Sequence, residues 1–409
     1  MKYGVTLYTN LPLIGTTMEA RLKEILASAP EICKRLSSMN EILLSSLVMT
    51  GETPAPTFSE QERVRILLDR FRECGLDNIS SDEADNGCAI LTGSEGDRSV
   101  LLVAHVDTLY PASVDHTITL STDSVSGAGV ADNSLGVAVL GSLPTLLEKL
   151  DIQFKSNLIL VGAAGGLGRG NLRGLNFFLE NYPSDISAGI CIEGVQLGRL
   201  SFSSVGMLRG EIKIHLDDEE DIQETGYGGA VGLMGDIVNR ISAIPIPQKP
   251  KTRVILGSCN AGKGFSTVPR QGSLRFEVRS ENQEIVSTIE NEINEIVEEA
   301  ESLTGAKVAV EIVSRREPGG ITFRHPLTKA VREIMASLEI EPEIEPSVSE
   351  LSALIAKNIP GVTLGLTELI DEGDESTEVV AIEPMAAGLA QLIVLLQAID
   401  EGLLNGKKR

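Results

Sequence analysis

Ser99-Val-Leu-Leu-Val-Ala-His-Val-Asp107 is an unbroken apolar run that ends on a histidine and an aspartate. A strand buried on both faces of a parallel sheet reads this way, because neither face needs polar residues. In an open parallel sheet, ligands bind outside the carboxyl ends of the strands, so His105 stands where a side chain faces a site. Spaced two apart, His105 can ligate a metal while Asp107 holds the imidazole in one tautomer. The same pair also reads as an ordinary polar strand end. Further on, Gly127-Ala-Gly-Val-Ala-Asp-Asn-Ser134 is a glycine-rich turn that leads into the apolar stretch Leu135 to Leu150. Asp132 therefore sits at the start of a helix, as an N-cap or as a second acidic ligand.

Outward from these segments the chain alternates. Cys88 to Leu91 and Asn157 to Gly162 read as strands, Leu172 to Tyr182 as a helix and Ala188 to Ile192 as a strand. Helical patterns precede them at Thr17 to Met49 and Phe58 to Cys74. Strands alternating with helices predict an α/β fold, a mostly parallel sheet covered by helices on both faces. Near Gly206 the rhythm changes to alternating strands with two helices, the second being the acidic segment Ile285 to Thr304. After Glu317-Pro-Gly-Gly320 the α/β pattern returns, with helices at Leu327 to Leu338, Ser349 to Lys357 and Pro384 to Leu403 and an apolar run at Gly361 to Leu366. The expected organisation is a discontinuous α/β domain, residues 1–206 and 316–409, interrupted by an α+β insertion at residues 207–315.

The length, 409 residues, suits two cores. A formal charge of −23 disfavours phosphate backbones and anionic membranes as partners. The five cysteines are scattered, with no Cys-x-x-Cys pair, so they suggest reduced thiols rather than a disulfide framework. No signal-peptide run opens the chain and no long uninterrupted apolar stretch is present, so a cytoplasmic location is expected. The glycine run Gly162 to Gly170 lacks the Lys-Ser/Thr ending of a phosphate loop. His116, His215 and His325 read as structural.

Together the two opening segments resemble the zinc metallopeptidase and aminoacylase family, whose members include carboxypeptidases, aminoacylases and succinyl-diaminopimelate desuccinylases. The resemblance runs from about Pro54 onward. It implies a zinc-exopeptidase-like α/β domain, with the insertion as a lid and dimerisation domain and a homodimer formed through it. It assigns His105 to one zinc, Asp107 to the carboxylate beside that histidine, and Asp132 to the bridge between two zinc ions, often across a cis peptide to Asn133. Cys191-Ile-Glu-Gly194 resembles the segment carrying the next ligand, Glu193. Ser266-Thr-Val-Pro269, Arg275-Phe-Glu-Val-Arg279, Arg324-His-Pro-Leu327 and Ser349-Glu-Leu-Ser352 resemble further family segments.

Two places depart from the family. Where it has Glu-Glu-Gly-x-Gly, the first Glu a general base and the second a zinc ligand, this chain has Ala163-Ala-Gly-Gly-Leu-Gly168, which sets Ala164 at the base and Gly165 at the ligand. The last family ligand is a histidine in a His-Thr-x-x-Glu-x-Val segment; here Glu372-Gly-Asp-Glu-Ser-Thr-Glu-Val-Val380 has none, and alignment sets Asp374 at that position. Glu224-Thr-Gly-Tyr227 stands near the place of a further family histidine. His105, Asp132 and Glu193 thus form one complete zinc set, so one ion per chain is expected. The resemblance implies a metal-dependent peptidase or amidohydrolase acting on amide bonds of small peptides or N-acyl amino acids. The missing glutamate leaves an alternative, an inactive relative that binds a peptide, amino acid or metal in a regulatory or scaffolding role.

Overall fold

The computed structural model describes residues 14–96, 98–216, 228–371 and 377–404. The chain divides into two compact units. The first holds the residues up to Phe202, Ile321–Glu345 and those from Ile359 on; the second holds Ser203–Gly320 and Pro346–Asn358.

In the first unit an eight-stranded sheet runs in the order Asp77–Ser81, Gly87–Leu91, Asn157–Ala163, Ser99–His105, Ala188–Val195, Gly361–Thr367, Arg199–Ser201, Glu343–Ile344. The central pairs are parallel, whereas Gly87–Leu91 on Asn157–Ala163 and Gly361–Thr367 on Arg199–Ser201 are antiparallel, so the sheet is mixed rather than uniformly parallel. Every residue of Ser99–His105 is buried. Val100, Leu102 and Ala104 join the large core formed with helices Leu135–Leu150 and Met385–Asp400, while Leu101 and Val103 are equally buried on the opposite face. Burial on both faces is why the segment carries no alternation.

Residues Val130–Leu150 are long and apolar enough to cross a membrane by composition, yet 89% of their most apolar window is buried inside this unit. They form the central core helix and the turn before it. The acidic end of the last helix has a structural use: the Asp400 carboxylate accepts the amides of Lys155 and Ser156, tying that helix to the start of strand Asn157–Ala163.

A second, four-stranded antiparallel sheet lies in the same unit, ordered Leu369–Asp371, Glu378–Ala381, Ser124–Gly127, Thr119–Leu120. The sequence reading assigned no strands here, because each is two to four residues long and has no room to show a period. Its register sets Glu378 opposite Gly127, at the mouth of the glycine-rich turn.

The second unit has one antiparallel sheet, ordered Thr252–Ala261, Gln271–Ser280, Gly206–His215, Lys307–Arg316, with helices Ala230–Ser242 and Gln283–Thr304 sharing its core. Ile212, Ile214, Leu274 and Phe276 meet Ile237, Ile289 and Ile293 there. One segment lies elsewhere than the sequence reading put it. Helix Leu351–Ala356, assigned above to residues 316–409 of the α/β domain, packs on the short strands Ser203–Ser204 and Gly319–Gly320 of the second unit. The Arg316 guanidinium bonds the Val348 carbonyl there, and Ser347 bridges to Ser204.

Candidate metal centre

The parallel register of Ser99–His105 on Ala188–Val195 brings the ends of two strands together and leaves His105 and Glu193 at the same edge. The turn 130–134 supplies the third group. Gly194 allows its approach, since a side-chain carbon there would lie 2.2 Å from the Ala131 carbonyl oxygen. Asn133 pins the same turn by donating to the Ile192 carbonyl at 2.8 Å and accepting the Gly136 amide at 3.1 Å. The Asp132-Asn133 peptide is cis.

One donor atom each from His105, Asp132 and Glu193 lies within 4.8 Å of the others. His105 Nε2 is 2.9 Å from an Asp132 carboxylate oxygen. On the other side of the ring, Nδ1 is 2.9 Å from the Asp107 carbonyl oxygen and 3.5 Å from its carboxylate. The acceptors at Nδ1 can take the neutral ring's proton, which is the tautomer that binding a metal through Nε2 requires. One imidazole and two carboxylates carry two negative charges between them and suit a divalent cation. The residues present fit such an ion.

Asp107 does less for the imidazole, and more for its surroundings, than its position beside His105 suggests. The shorter contact to Nδ1 is its backbone carbonyl. Its carboxylate accepts the Gly166 amide at 3.0 Å, the Leu167 amide at 2.9 Å and the Thr57 hydroxyl at 2.8 Å. Burial pushes its carboxyl up, but His105, the Leu167 amide and Thr57 outweigh it and hold the group below the usual carboxylate range. Nearby, the fully buried Arg63 donates to the carbonyls of Thr53 and Val106, and burial pulls its guanidinium down to about 10 against the pull of Asp107. With both carboxylate oxygens engaged and no exposure, Asp107 positions the loop.

Strand Asn157–Ala163 ends in register with the histidine strand, Ala163 opposite His105. The next residues, Ala164 and Gly165, occupy the positions that family resemblance gives to two glutamates. Ala164 is fully buried and its amide donates to Asn86 at 3.0 Å. Gly165 holds φ +61 and gives its amide to the fully buried Glu60 at 2.8 Å. This stretch is held by Asn86 and Glu60 from elsewhere in the chain and presents no carboxylate of its own.

No family model matches the chain, and neither does any curated protein sequence. Solved structures do match. A tripeptidase from Staphylococcus aureus superposes with a TM-score of 0.69 at 18% identity, over 88% of this chain and 98% of that one. A dipeptidase from Saccharomyces cerevisiae gives 0.69 at 11% identity, over 92% and 99%. A dinuclear metal-binding peptidase of the M20 family from Bacillus subtilis gives 0.62 at 16% identity, over 88% and 98%. The chain has the fold of these metallopeptidases. Identities this low carry the fold and leave the chemistry to the residues.

Within that fold, Glu378 is a site residue the sequence reading quoted without giving it a role. Its carboxylate accepts the Ala131 amide at 2.8 Å. Burial pushes its carboxyl up; the amides of Ala131 and Asp132 and the Tyr110 hydroxyl pull the other way, while the Asp132 charge adds to the rise. The signal was its place in the Glu-x-Val segment before the last helix. Asp374, the fourth candidate ligand, its neighbours Glu372 and Glu375, and Glu224-Thr-Gly-Tyr227 all lie outside the described residues. The remaining histidines have local duties: His325 caps helix Pro326–Ser337 by accepting the Leu327 amide, and His116 Nε2 is 3.2 Å from the Pro111 carbonyl.

Proposed function

We propose that the chain binds one divalent cation, zinc by the chemistry of its donors, through His105, Asp132 and Glu193, and holds a small peptide or N-acyl amino acid beside it without turning it over at an enzyme's rate. One observation carries this reading: three metal-donor side chains converge at the strand ends, while the neighbouring strand runs out into Ala164 and Gly165. A bound cation supplies Lewis acidity toward an oxygen ligand. Amide cleavage also requires a group that moves a proton to the leaving nitrogen, and losing such a group typically costs about a hundredfold to ten-thousandfold. In this reading Asp107, buried and held by two loop amides and the Thr57 hydroxyl, and the fully buried Glu60, which gives one carboxylate oxygen to the Gly165 amide, do not replace it. The role is that of a binding or regulatory protein built on a peptidase fold, cytoplasmic and dimeric through residues 207–315.

A second reading, slow amide hydrolysis with Glu378 as the proton carrier, has one observation in its favour: a carboxyl with a raised proton affinity stands against Asp132. The test is zinc titration of the metal-stripped protein, followed by turnover assays of the zinc-loaded protein with dipeptides and N-acetyl amino acids. About one zinc per chain with no turnover supports binding. Turnover that disappears in Glu378→Gln replaces it with the hydrolase. Absence of zinc uptake overturns both.

A further inference from the structure

We infer that the amino-terminal edge of the eight-stranded sheet holds a second ligand site, a cavity around Arg98 that takes a small aliphatic carboxylate. The metal donors stand at the carboxyl ends of the same strands, and the site does not depend on the cation reading.

Strand Ser99–His105 runs parallel to both of its neighbours, Asn157–Ala163 and Ala188–Val195. The register brings the residues just before the three strands to one edge, where the Asn157 amide donates to the Arg98 carbonyl at 2.8 Å and the Ser187 amide to the Ser99 carbonyl at 2.8 Å. Arg98, Ser156 and Ser187 line a cavity of about 230 Å³ there, walled by Val100, Ile399 and Leu404. Arg98 stands two residues before Val100 and Ser156 two before Leu158, so these polar residues continue the sheet face that carries the apolar core. Six residue steps separate Ser99 from His105, about 20 Å along an extended strand. The two sites are therefore at opposite ends of one strand.

The acids of this corner are already engaged. Asp400 gives its carboxylate to the amides of Lys155 and Ser156, at 3.0 and 2.7 Å. Glu401 pairs with Lys155 at 3.1 Å and with Arg21 at 2.7 Å. Arg98, half-buried, donates to the Asp400 carbonyl at 3.2 Å, which caps the last helix, and pairs with no carboxylate among the described residues. Nor do the Ser156 and Ser187 hydroxyls bond any group among those residues, although Ser156 is only 2% exposed. A guanidinium takes a carboxylate through parallel bonds, and the two hydroxyls add donors beside it. The rest of the wall is aliphatic. An apolar cavity of about 150 Å³ holds benzene, so this larger one admits an acid with a short branched chain. One cation matches one negative charge; the further oxygens of a phosphate would lose water against Val100, Ile399 and Leu404 without gaining donors.

The experiment titrates 3-methylbutanoate and its uncharged amide, by ligand-observed NMR, into the metal-stripped full chain and into His105→Ala, which lacks a metal ligand. Both proteins are expected to prefer the acid by about tenfold or more, the size of one charged hydrogen-bonded contact. In the same assay Arg98→Gln should lose that preference and Arg98→Lys should keep part of it. Leu404→Trp, which fills the aliphatic wall from a half-exposed position, should lose acid binding while taking up zinc as wild type does. Equal binding of acid and amide, binding of neither, a preference that survives Arg98→Gln, or acid binding unchanged in Leu404→Trp overturns the site and leaves Arg98 as a helix cap. Inorganic phosphate that displaces the acid at equal concentration overturns the carboxylate class. Absence of zinc uptake leaves this assignment standing and overturns only the metal reading.

Discussion

Two neighbouring strand ends in the first unit have opposite fates. Ser99–His105 and Asn157–Ala163 lie side by side in parallel register and finish level, His105 opposite Ala163. Beyond the first, three metal-donor side chains converge: one donor atom each from His105, Asp132 and Glu193 lies within 4.8 Å of the others, with the imidazole Nε2 2.9 Å from Asp132. Beyond the second, backbone amides take up the nearby polar groups, with Glu60 Oε1 on Gly165, Asn86 on Ala164 and Asp107 on Gly166 and Leu167. Fold position alone does not make a site. What distinguishes the two ends is whether the carboxylates there hold backbone amides or converge with an imidazole as metal donors do.

The largest test of this contrast is His105→Ala. It is expected to lower zinc content from about one per chain to near zero, measured by plasma mass spectrometry, because two carboxylates alone make a poor zinc site. Retained zinc would place the ion elsewhere. On the structural side, Asp107→Ala removes the acceptor of two loop amides and a hydroxyl and leaves Arg63 without its opposite charge. A loss of about 3 kcal/mol in urea unfolding is expected, and an unchanged midpoint would show that the loop does not depend on it.

Asp107 also predicts a pH dependence. Its proton affinity is lowered by folding, so between the folded and unfolded values the unfolded chain binds more protons. The stability it contributes is complete above the ordinary carboxylate value and is lost as pH falls through the folded one; Asp107→Asn should flatten that acid limb. Glu378 has the opposite sign. Its folded proton affinity is raised, so its contribution is present at low pH and fades as pH rises through the folded value. Glu378→Gln should remove that decline, read from unfolding midpoints on either side of the carboxylate range. The smallest effect belongs to Gly165→Ala, where the added carbon meets Arg173 at an ordinary 3.5 Å and only the positive φ is penalised. About 1 kcal/mol is expected, checked by thermal unfolding.

The long elements were legible because their signals are local. Helices such as Gln283–Thr304 and Pro326–Ser337 and the buried strands Ser99–His105 and Gly361–Thr367 stand within a few residues of where apolar periodicity and caps put them. The small sheet that carries Glu378 was not legible, since strands of two to four residues have no period. Nor was the placement of helix Leu351–Ala356, whose sequence is compatible with packing in either unit and whose partners are short strands far away in the chain.

By itself, the sequence determined which residue types stand at the strand ends: an imidazole after one buried run, a carboxylate after another, an aspartate in a glycine turn, and alanine and glycine where a pair of acids would serve hydrolysis. The first three are read from patterns over a few residues; the last is what the family resemblance implies. Only the tertiary structure decided how charges are shared among groups distant in sequence. It gave Asp107 and one oxygen of Glu60 to the loop amides and set Glu378 against the turn of Asp132. The reason is physical. A carboxylate's role depends on whether a donor lies within about 3 Å of it, and that is fixed by sheet order and register, which local pattern does not encode.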